Sequence, residues 1–375
     1  MTTLEIGVDI STTVIKVIYS FSEPFCPKLL LTPTFITSTT PEMVADYNKS
    51  SFGSNNFGSS GWVSFNNNFY FYGDAAKNIS NRLVLNKRKF ELALIRLLIV
   101  VGVIARQYKL PKASKIKLAV ALPFGEYGDR KILESHLGLA LQSGFIFNGT
   151  QMSFELDTFI CLPEGGGTFL QTQNPTSHAL QQVVLMIGFR DLSMLFIKNN
   201  QMTGGLSEPL GFVKPCKMIK NKISHQGDLI RFAEIYSQIG RNLNLRTARP
   251  LFGNLNKSFY PQRLEQIKNA SHMAVSQYLL QIENLIESEI DTDTQRIIVT
   301  GGTAHYFRKE LNVILKRSFI KSICWCDELE KRIITCLGSP VTDNWLQYRL
   351  SDAFGLVMNL HSQTITERRE KSNAH

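Results

Sequence analysis

The sequence predicts an α/β fold with two related halves, and three observations support this prediction. A strand–turn–strand unit opens the chain at 4–20, and a second one occupies 182–198. A late apolar strand at 296–300 runs directly into a pair of glycines and a further helix. With 375 residues, the chain is also long for a single hydrophobic core. We therefore expect two domains or two subdivided lobes, related by an internal structural repeat.

Composition narrows the class of protein. Hydrophobic residues make up 43% of the chain and charged residues 19%, which is typical of a globular protein with a large core. No apolar run reaches the length of about 18 residues that a transmembrane helix needs. The most apolar segment, 92–105, is interrupted by Arg96 and is interpreted as a buried helix. Because the N-terminus also lacks a signal-peptide pattern, the sequence predicts a cytoplasmic protein.

Cysteine usage and charge give weaker indications. Of the six cysteines only Cys324 and Cys326 lie close together, which is a weak metal signal, so we expect reduced thiols. The formal net charge of +10 favours contact with a nucleotide, a nucleic acid or an acidic partner. Because the basic residues are spread along the chain, we expect no direct nucleic-acid binding.

The opening hairpin places two charged residues on either side of a hydroxyl-rich turn. Asp9 ends the first strand, Lys16 lies on the second, and the turn consists of Ser11, Thr12 and Thr13. A turn that offers backbone N–H groups and hydroxyls beside a lysine suits a phosphate group. The same pattern also fits an ordinary N-terminal β-hairpin.

The remaining elements are predicted from periodicity and from turn residues. The first half contains a polar loop at 38–61, helices at 90–108 and 129–141, and strands at 28–37, 62–65, 69–72, 117–122, 145–154 and 159–162. The second half contains strands at 182–187, 192–198 and 296–300, and helices at 228–243, 261–290, 344–359 and from Ala304. The polar residues 362–375 predict a disordered tail.

Small-residue turns follow four of the predicted strands, at 10–13, 164–167, 188–191 and 301–303. With this spacing the chain resembles the actin-like, ribonuclease H-fold ATPases, most closely the bacterial plasmid-segregation actins of the ParM type. The resemblance covers nearly the whole chain. The motifs that carry it are Asp9 with Lys16 seven residues later, Ala121-Leu122-Pro123, Pro163-Glu164, Gly301-Gly302 and Asp352-Ala353-Phe354-Gly355.

The resemblance implies an actin-like fold of two lobes, each built on a mixed β-sheet flanked by helices, at 1–180 and 181–361. It also implies that ATP or GTP binds with Mg²⁺ between the lobes, and that nucleotide binding drives polymerisation into filaments. ATP hydrolysis would then destabilise the polymer. A small DNA-binding adaptor of the ParR type is the implied partner, for the segregation of plasmids or chromosomes; a cytoskeletal role in cell shape is the other possibility.

Residue roles follow from the same resemblance. Asp9 is expected to hold Mg²⁺ through water and Lys16 to bind the β- or γ-phosphate, with donors from Ser11, Thr12 and Thr13. Glu164 is expected to orient the attacking water or to accept its proton. The remaining nucleotide contacts are expected from Gly188, Arg190, Gly301, Gly302 and Thr303. The alternatives are a turn-capping Asp9, a solvated Lys16, a surface Glu164 and an exposed Arg190.

The second phosphate loop departs from the family pattern. Where the family has Asp-Ile-Gly, this chain has Met186-Ile187-Gly188, so the expected carboxylate is missing. Either Asp191 takes its place, or hydrolysis is slow and the protein works mainly as a nucleotide-gated polymer. The alternative function is a small-molecule kinase of the same superfamily, such as a sugar kinase, although no motif supplies its aspartate base. A third alternative, a chaperone-like nucleotide switch, lacks its substrate-binding region here.

Overall fold

A computed structural model describes residues 3–50, 56–79, 88–112, 114–173, 181–318, 321–338 and 341–373. The chain divides into two compact units, Met1–Asn174 with Cys326–His375, and Pro175–Trp325. No helix in these described ranges is both long enough and apolar enough to cross a lipid bilayer.

The strands, in chain order, are β1 (Thr3–Ile10), β2 (Val14–Phe21), β3 (Lys28–Pro33), β4 (Ile36–Thr39), β5 (Ser60–Phe65), β6 (Asn68–Gly73), β7 (Lys115–Leu122), β8 (Phe145–Phe147), β9 (Thr150–Met152), β10 (Glu155–Pro163), β11 (Gln181–Ile187), β12 (Leu192–Lys198), β13 (Gln201–Glu208), β14 (Arg296–Thr300) and β15 (Ser322–Cys324). The helices are α1 (Pro41–Ser50), α2 (Asp74–Ile79), α3 (Ala93–Tyr108), α4 (Arg130–Ser143), α5 (Gly166–Thr172), α6 (Val213–Lys222), α7 (Leu229–Ile239), α8 (Tyr260–Glu289), α9 (Gly302–Tyr306), α10 (Arg308–Arg317), α11 (Asp327–Leu337) and α12 (Ser351–Asn373).

The central sheet of the first unit has the strand order β10-β7-β1-β2-β3. The strands β1, β2 and β3 form an antiparallel meander, whereas β7 and β10 run parallel to β1. Ala121 of β7 pairs with Asp9 on one side and with Leu162 on the other. Because parallel strands end at the same edge of a sheet, Asp9 and the Pro163-Glu164 turn follow neighbouring strand ends.

A second, smaller sheet belongs to the same unit and has the order β4-β6-β5-β8-β9. Its aromatic side chains Trp62 and Phe71 pack with Val44 of helix α1 in a separate small core. The predicted loop at 38–61 is therefore wrong over 41–50, because burial of Val44 anchors a helix there. Residues 51–55 of that predicted loop lie outside the described ranges.

The second unit repeats the same sheet topology, with the order β13-β12-β11-β14-β15. Its first three strands are antiparallel, and β14 and β15 extend the sheet in parallel from β11. The long helix α8 packs on α6, and its Tyr278 is fully buried and donates to the carbonyl of Leu210 at 2.8 Å. The internal repeat that the sequence predicts is present in these two sheets.

The C-terminal helix α12 lies on the first unit. Its Leu356 and Leu360 are buried against Ala119 and Ala121 of β7. Residues 326–361 therefore group with the first unit, whereas the predicted ranges placed them in the second. The predicted boundary at 180 lies outside the described residues.

The segment 362–375, which the sequence predicts as disordered, is helical as far as Asn373. Two polar contacts attach this end of α12 to the sheet. The His361 Nδ1 lies 3.0 Å from a carboxylate oxygen of the buried Glu5, and the Lys117 Nζ donates to Glu367 at 2.8 Å. The prediction fails because the partners of these polar side chains lie far away in sequence. Residues 374 and 375 are outside the described ranges.

Three glycines permit α12 to approach the backbone of β1 and α5. A Cβ atom at Gly355 would lie 1.9 Å from the carbonyl oxygen of Gly167, and one at Gly167 would lie 2.3 Å from that of Asp352. At Gly7 the corresponding distance, to the carbonyl oxygen of Ala353, is 2.4 Å. Since all three obstacles are backbone atoms, a side chain at any of these positions would push α12 away from the sheet.

We expect Gly355→Ala to destabilise the protein by about 1–3 kcal/mol, because the added methyl group overpacks a backbone contact. Urea unfolding followed by circular dichroism measures the change. The matched control is Gly138→Ala in helix α4, where the added Cβ atom would meet only a leucine methyl at 3.7 Å. That control should be neutral or more stable by about 0.5–1 kcal/mol, because alanine favours a helix interior. Equal stability of Gly355→Ala and the wild type would contradict the close packing.

Candidate functional site

Asp9 and Lys16 form a buried ion pair at the tip of the β1–β2 hairpin. Their side chains are 1% and 6% exposed, and the Lys16 Nζ contacts the Asp9 Oδ2. The two residues face each other directly in the strand register. The Lys16 Nζ also donates to the carbonyl of Arg349 at 2.9 Å. Lys16 is therefore not a solvated strand lysine; it holds a fixed charge beside Asp9.

The hydroxyl-rich turn of the hairpin is held by side-chain hydrogen bonds from within the turn and from two other segments. The Ser11 hydroxyl donates to the carbonyl of Val14 at 2.5 Å, and the Thr34 hydroxyl donates to the carbonyl of Thr12 at 2.8 Å. The Thr13 hydroxyl accepts from the Arg349 guanidinium at 3.2 Å. Ser11, at the position where the family pattern has glycine, thus contributes a bond that fixes the turn.

Glu164 is buried, with 5% of its surface exposed, which rules out the alternative of a surface glutamate. Its backbone N–H donates to the carbonyl of Leu122 at 2.8 Å, and this bond joins the ends of β10 and β7. Its carboxylate forms an ion pair with Lys89, a residue that the sequence analysis did not identify.

Asp352 holds the turn that follows Glu164. Its Oδ2 accepts the backbone N–H of Gly165 at 2.6 Å, and its Oδ1 accepts the backbone N–H and the hydroxyl of Thr168 at 2.9 and 3.0 Å. Burial raises the pKa of Asp352 to about 6, the negative charge of Asp9 adds to this shift, and the three hydrogen bonds oppose it. Asp352 therefore couples the glycine-rich turn electrostatically to the Asp9 carboxylate.

In the second unit, the turn after β11 is held by backbone hydrogen bonds. The N–H of Gly188 donates to the carbonyl of Asp191 at 2.9 Å, and the N–H of Gly211 donates to that of Arg190 at 3.0 Å. The Arg190 Nε pairs with the Asp191 carboxylate at 2.7 Å, and both side chains are mostly buried. Arg190 is therefore not an exposed hairpin-tip residue, and it balances the charge of Asp191 within the turn.

The Gly301-Gly302-Thr303 turn lies beside the Gly188 turn, because β14 pairs with β11 in parallel up to Thr300. Gly301 has φ +100°, and a Cβ atom there would lie 2.4 Å from the carbonyl oxygen of Ile187. The Thr303 hydroxyl donates to the carbonyl of Gly188 at 2.7 Å. The structure thus brings together the predicted residues of the second unit, from Gly188 to Asp191 and from Gly301 to Thr303. Whether they bind a nucleotide stays a prediction.

The part of the candidate site in the first unit contains three residues that the sequence did not predict as site residues: Lys89, Arg349 and Asp352. Lys89 follows a segment without a recognisable pattern, so no local signal was available. Asp352 was identified only as part of the C-terminal motif, and Arg349 lies three residues before it. Arg349 reaches the hairpin, and Asp352 reaches the glycine-rich turn, only because α12 packs on the first unit.

The donor set at Asp9 fits Mg²⁺ that is held mainly by phosphates and water. Within the described ranges no three His, Cys, Asp or Glu side chains gather as ligands for a metal. Mg²⁺ needs no such cage, because it commonly uses one or two carboxylates together with phosphates and several waters. The Asp9 Oδ1 is buried and receives no hydrogen bond from any described residue, so one carboxylate oxygen lacks a donor.

No protein-family model matches the chain, and no curated protein does. Among solved structures, the actin-like protein Alp7A matches with a TM-score of 0.64 and 9% identity, over 100% of both chains. Bacillus thuringiensis ParM with ATP matches with a TM-score of 0.60 and 11% identity, over 96% of this chain and 99% of that one.

A 15-stranded ParM filament from Clostridium botulinum is also similar in structure, with a TM-score of 0.53 and 15% identity, over 97% of this chain and 100% of that chain. Likenesses at this level of identity show the fold. The chain therefore has an actin-like fold, and the fold class that the sequence resemblance implies is confirmed.

The raised pKa of Asp352 predicts a specific pH dependence of stability. Because its pKa of about 6 in the folded protein exceeds the ordinary value, protonation favours the folded state. The stability that Asp352 contributes should be complete below about pH 4 and should be lost as the pH rises through about 6. We expect the difference in unfolding free energy between the wild type and Asp352→Asn to fall over this range, by up to roughly 3 kcal/mol.

Urea unfolding at several pH values between 4 and 7 measures this difference. The control is Asp157→Asn, since burial raises the pKa of Asp157 but Lys115 and Lys117 outweigh burial and lower it. The stability that Asp157 contributes should therefore be present above about pH 4 and lost as the pH falls below it. A difference for Asp352→Asn that does not vary with pH would show that the Asp352 carboxyl does not titrate as described.

Proposed function

We propose that this chain of actin-like fold is a filament-forming protein whose polymerisation depends on ATP and Mg²⁺. The observation that carries the proposal is the buried Asp9–Lys16 pair at a strand end, beside a turn rich in hydroxyl groups. The second unit supports it with two adjoining turns at the ends of parallel strands, at 188–191 and 301–303. Further support comes from structural neighbours described as ParM with ATP and as a ParM filament.

In this proposal each residue acts through the geometry described above. Lys16 is an immobilised point charge for the β- or γ-phosphate, and Asp9 holds the metal through water. When bound, Mg²⁺ neutralises the charge that develops on the phosphates. Glu164 orients the water that attacks the terminal phosphate or accepts its proton. Gly188, Arg190, Gly301, Gly302 and Thr303 supply the remaining contacts to the nucleotide.

The second phosphate loop argues for slow hydrolysis. Its position 186 carries a methionine where the family pattern has aspartate, and the carboxylate of Asp191 is paired with Arg190 of the same turn. The Asp191 carboxylate is balanced by a cation of its own turn, whereas Asp9 keeps an oxygen, Oδ1, that accepts no hydrogen bond from any described residue. The proposed role is therefore a nucleotide-gated polymer in the bacterial cytoplasm, which moves DNA through a small adaptor of the ParR type or serves as a cytoskeletal element.

Filament formation is the direct test of this proposal. When ATP and Mg²⁺ are added to the purified protein, light scattering should increase, and negative-stain electron microscopy should show filaments. GTP with Mg²⁺ is tested in parallel, and ADP and nucleotide-free buffer are the controls. Absence of polymer with both triphosphates, over a range of salt concentrations, would reject the proposed function.

Replacement of Asp9 tests nucleotide binding separately from polymerisation. For the wild type, ATP with Mg²⁺ at about 100 times its Kd should add about 2.7 kcal/mol to the unfolding free energy. We expect most of this gain to disappear in Asp9→Asn, and also in the wild type with EDTA, because both remove the metal from the phosphates. Thermal unfolding with and without nucleotide measures it, with Asp46→Asn, at a largely exposed position of α1, as the control. A full gain in Asp9→Asn would remove Asp9 from the metal site.

A further inference from the structure

Lys89 lies outside every motif of the sequence, yet it pairs with the residue expected to act on the attacking water. We propose that Lys89 is a positioning residue, which sets the direction of the Glu164 carboxylate for the hydrolysis of ATP. This inference rests on the proposed function, because Glu164 needs a fixed direction only if it acts on a water at a nucleotide.

The Lys89–Glu164 pair is buried on both sides. The two side chains are 8% and 6% exposed, and the Lys89 Nζ contacts the Glu164 Oε1. Removing two charges from water is costly, so a buried pair is tolerated only when each charge compensates the other. An exposed lysine–glutamate pair could separate at little cost, whereas this one stays closed. The pair therefore restrains the Glu164 side chain.

The backbone of Lys89 is itself fixed by two other buried charged residues. The Glu126 carboxylate accepts the backbone N–H of Lys89 at 3.1 Å and that of Phe90 at 2.7 Å. The Arg96 Nη1 donates to the carbonyl of Lys89 at 3.3 Å. Both Glu126 and Arg96 are only 8% exposed. The stem from which the Lys89 ammonium extends is thus held in place before any ligand binds.

Glu164 is anchored at its backbone by different partners. Its own N–H donates to the carbonyl of Leu122, and the N–H of Gly165 donates to Asp352. These bonds fix where the Glu164 Cα lies but not where its flexible side chain points. Lys89 contacts the carboxylate itself, so its ammonium group acts directly on the direction of the Glu164 side chain. Because a misplacement of a catalytic group by about 1 Å can lower the rate about 100-fold, the direction of the Glu164 carboxylate should affect the rate of hydrolysis.

The experiment uses the full chain and compares Lys89→Gln, Lys89→Arg, Glu164→Gln and the double variant Lys89→Gln/Glu164→Gln. Phosphate release from ATP with Mg²⁺ gives kcat and KM, and ATP-dependent thermal stabilisation gives binding. The matched control is Lys77→Gln, which removes a lysine that pairs with Asp74 on the exposed face of α2.

We expect Lys89→Gln to lower kcat by about 10- to 100-fold while KM and nucleotide binding stay close to wild type. Lys89→Arg should restore most of kcat, because it returns a cation to the carboxylate. In the Glu164→Gln background, Lys89→Gln should cause no further loss, because both changes remove the same function. Lys77→Gln should behave as the wild type.

Several results would overturn the inference. One is a kcat of Lys89→Gln equal to that of the wild type, and another is an additive loss in the double variant. If circular dichroism shows that Lys89→Gln does not fold, the double variant decides, since it removes both charges of the pair together. A kcat for the double variant below that of Glu164→Gln would then reject the positioning role.

The proposed function and the positioning role of Lys89 are rejected by different results. Filaments that form with ATP in a wild type that releases no phosphate would reject the role of Lys89 and leave the proposed function standing. A wild type that neither binds ATP nor polymerises would reject the proposed function itself.

Discussion

The first unit depends on the close approach of helix α12 to strand β1 and helix α5. Gly7, Gly167 and Gly355 allow backbone to lie against backbone, and any side chain there would meet a carbonyl oxygen. This approach carries Asp352 to the turn after Glu164, and it carries Arg349 to Lys16 and Thr13. The last part of the chain thus completes a group of residues whose other members lie in the first half. The geometry of this part of the site therefore depends on a packing constraint: the three glycine positions leave room for backbone but not for a side chain.

The same unit concentrates buried charge around its strand ends. Asp9 pairs with Lys16, and Glu164 pairs with Lys89. Asp352 is held by hydrogen bonds from Gly165 and Thr168, and burial together with the charge of Asp9 raises its pKa. Apolar residues of similar size would serve stability as well as buried ion pairs do, so these pairs are better explained by a need for fixed charges. Fixed charges at strand ends suit the binding of a polyanion and the orientation of a water molecule.

The second unit reaches a comparable arrangement with backbone groups and glycine. Its two turns follow neighbouring parallel strands, and Thr303 ties one to the other through the carbonyl of Gly188. The single acidic side chain of these turns, Asp191, is balanced by Arg190. The repeated sheet topology therefore carries an unequal distribution of charge: Asp9 and Glu164 lie in the first unit, and the second unit contributes Asp191, which Arg190 balances.

Local patterns in the sequence determined the elements whose partners are close along the chain. Alternating apolar residues and a short turn predict the β1–β2 hairpin, and the turn sets the register in which Asp9 faces Lys16. The two strand–turn–strand units likewise predict the repeated topology. The sequence could not determine the partner of Glu164, 75 positions away, or that of the Gly165 turn, 187 positions away. The polar composition of 362–373 likewise predicted a disordered tail where the structure has the end of α12. Only the tertiary structure decided these contacts, because they depend on which surfaces are buried together and not on any local preference of the chain.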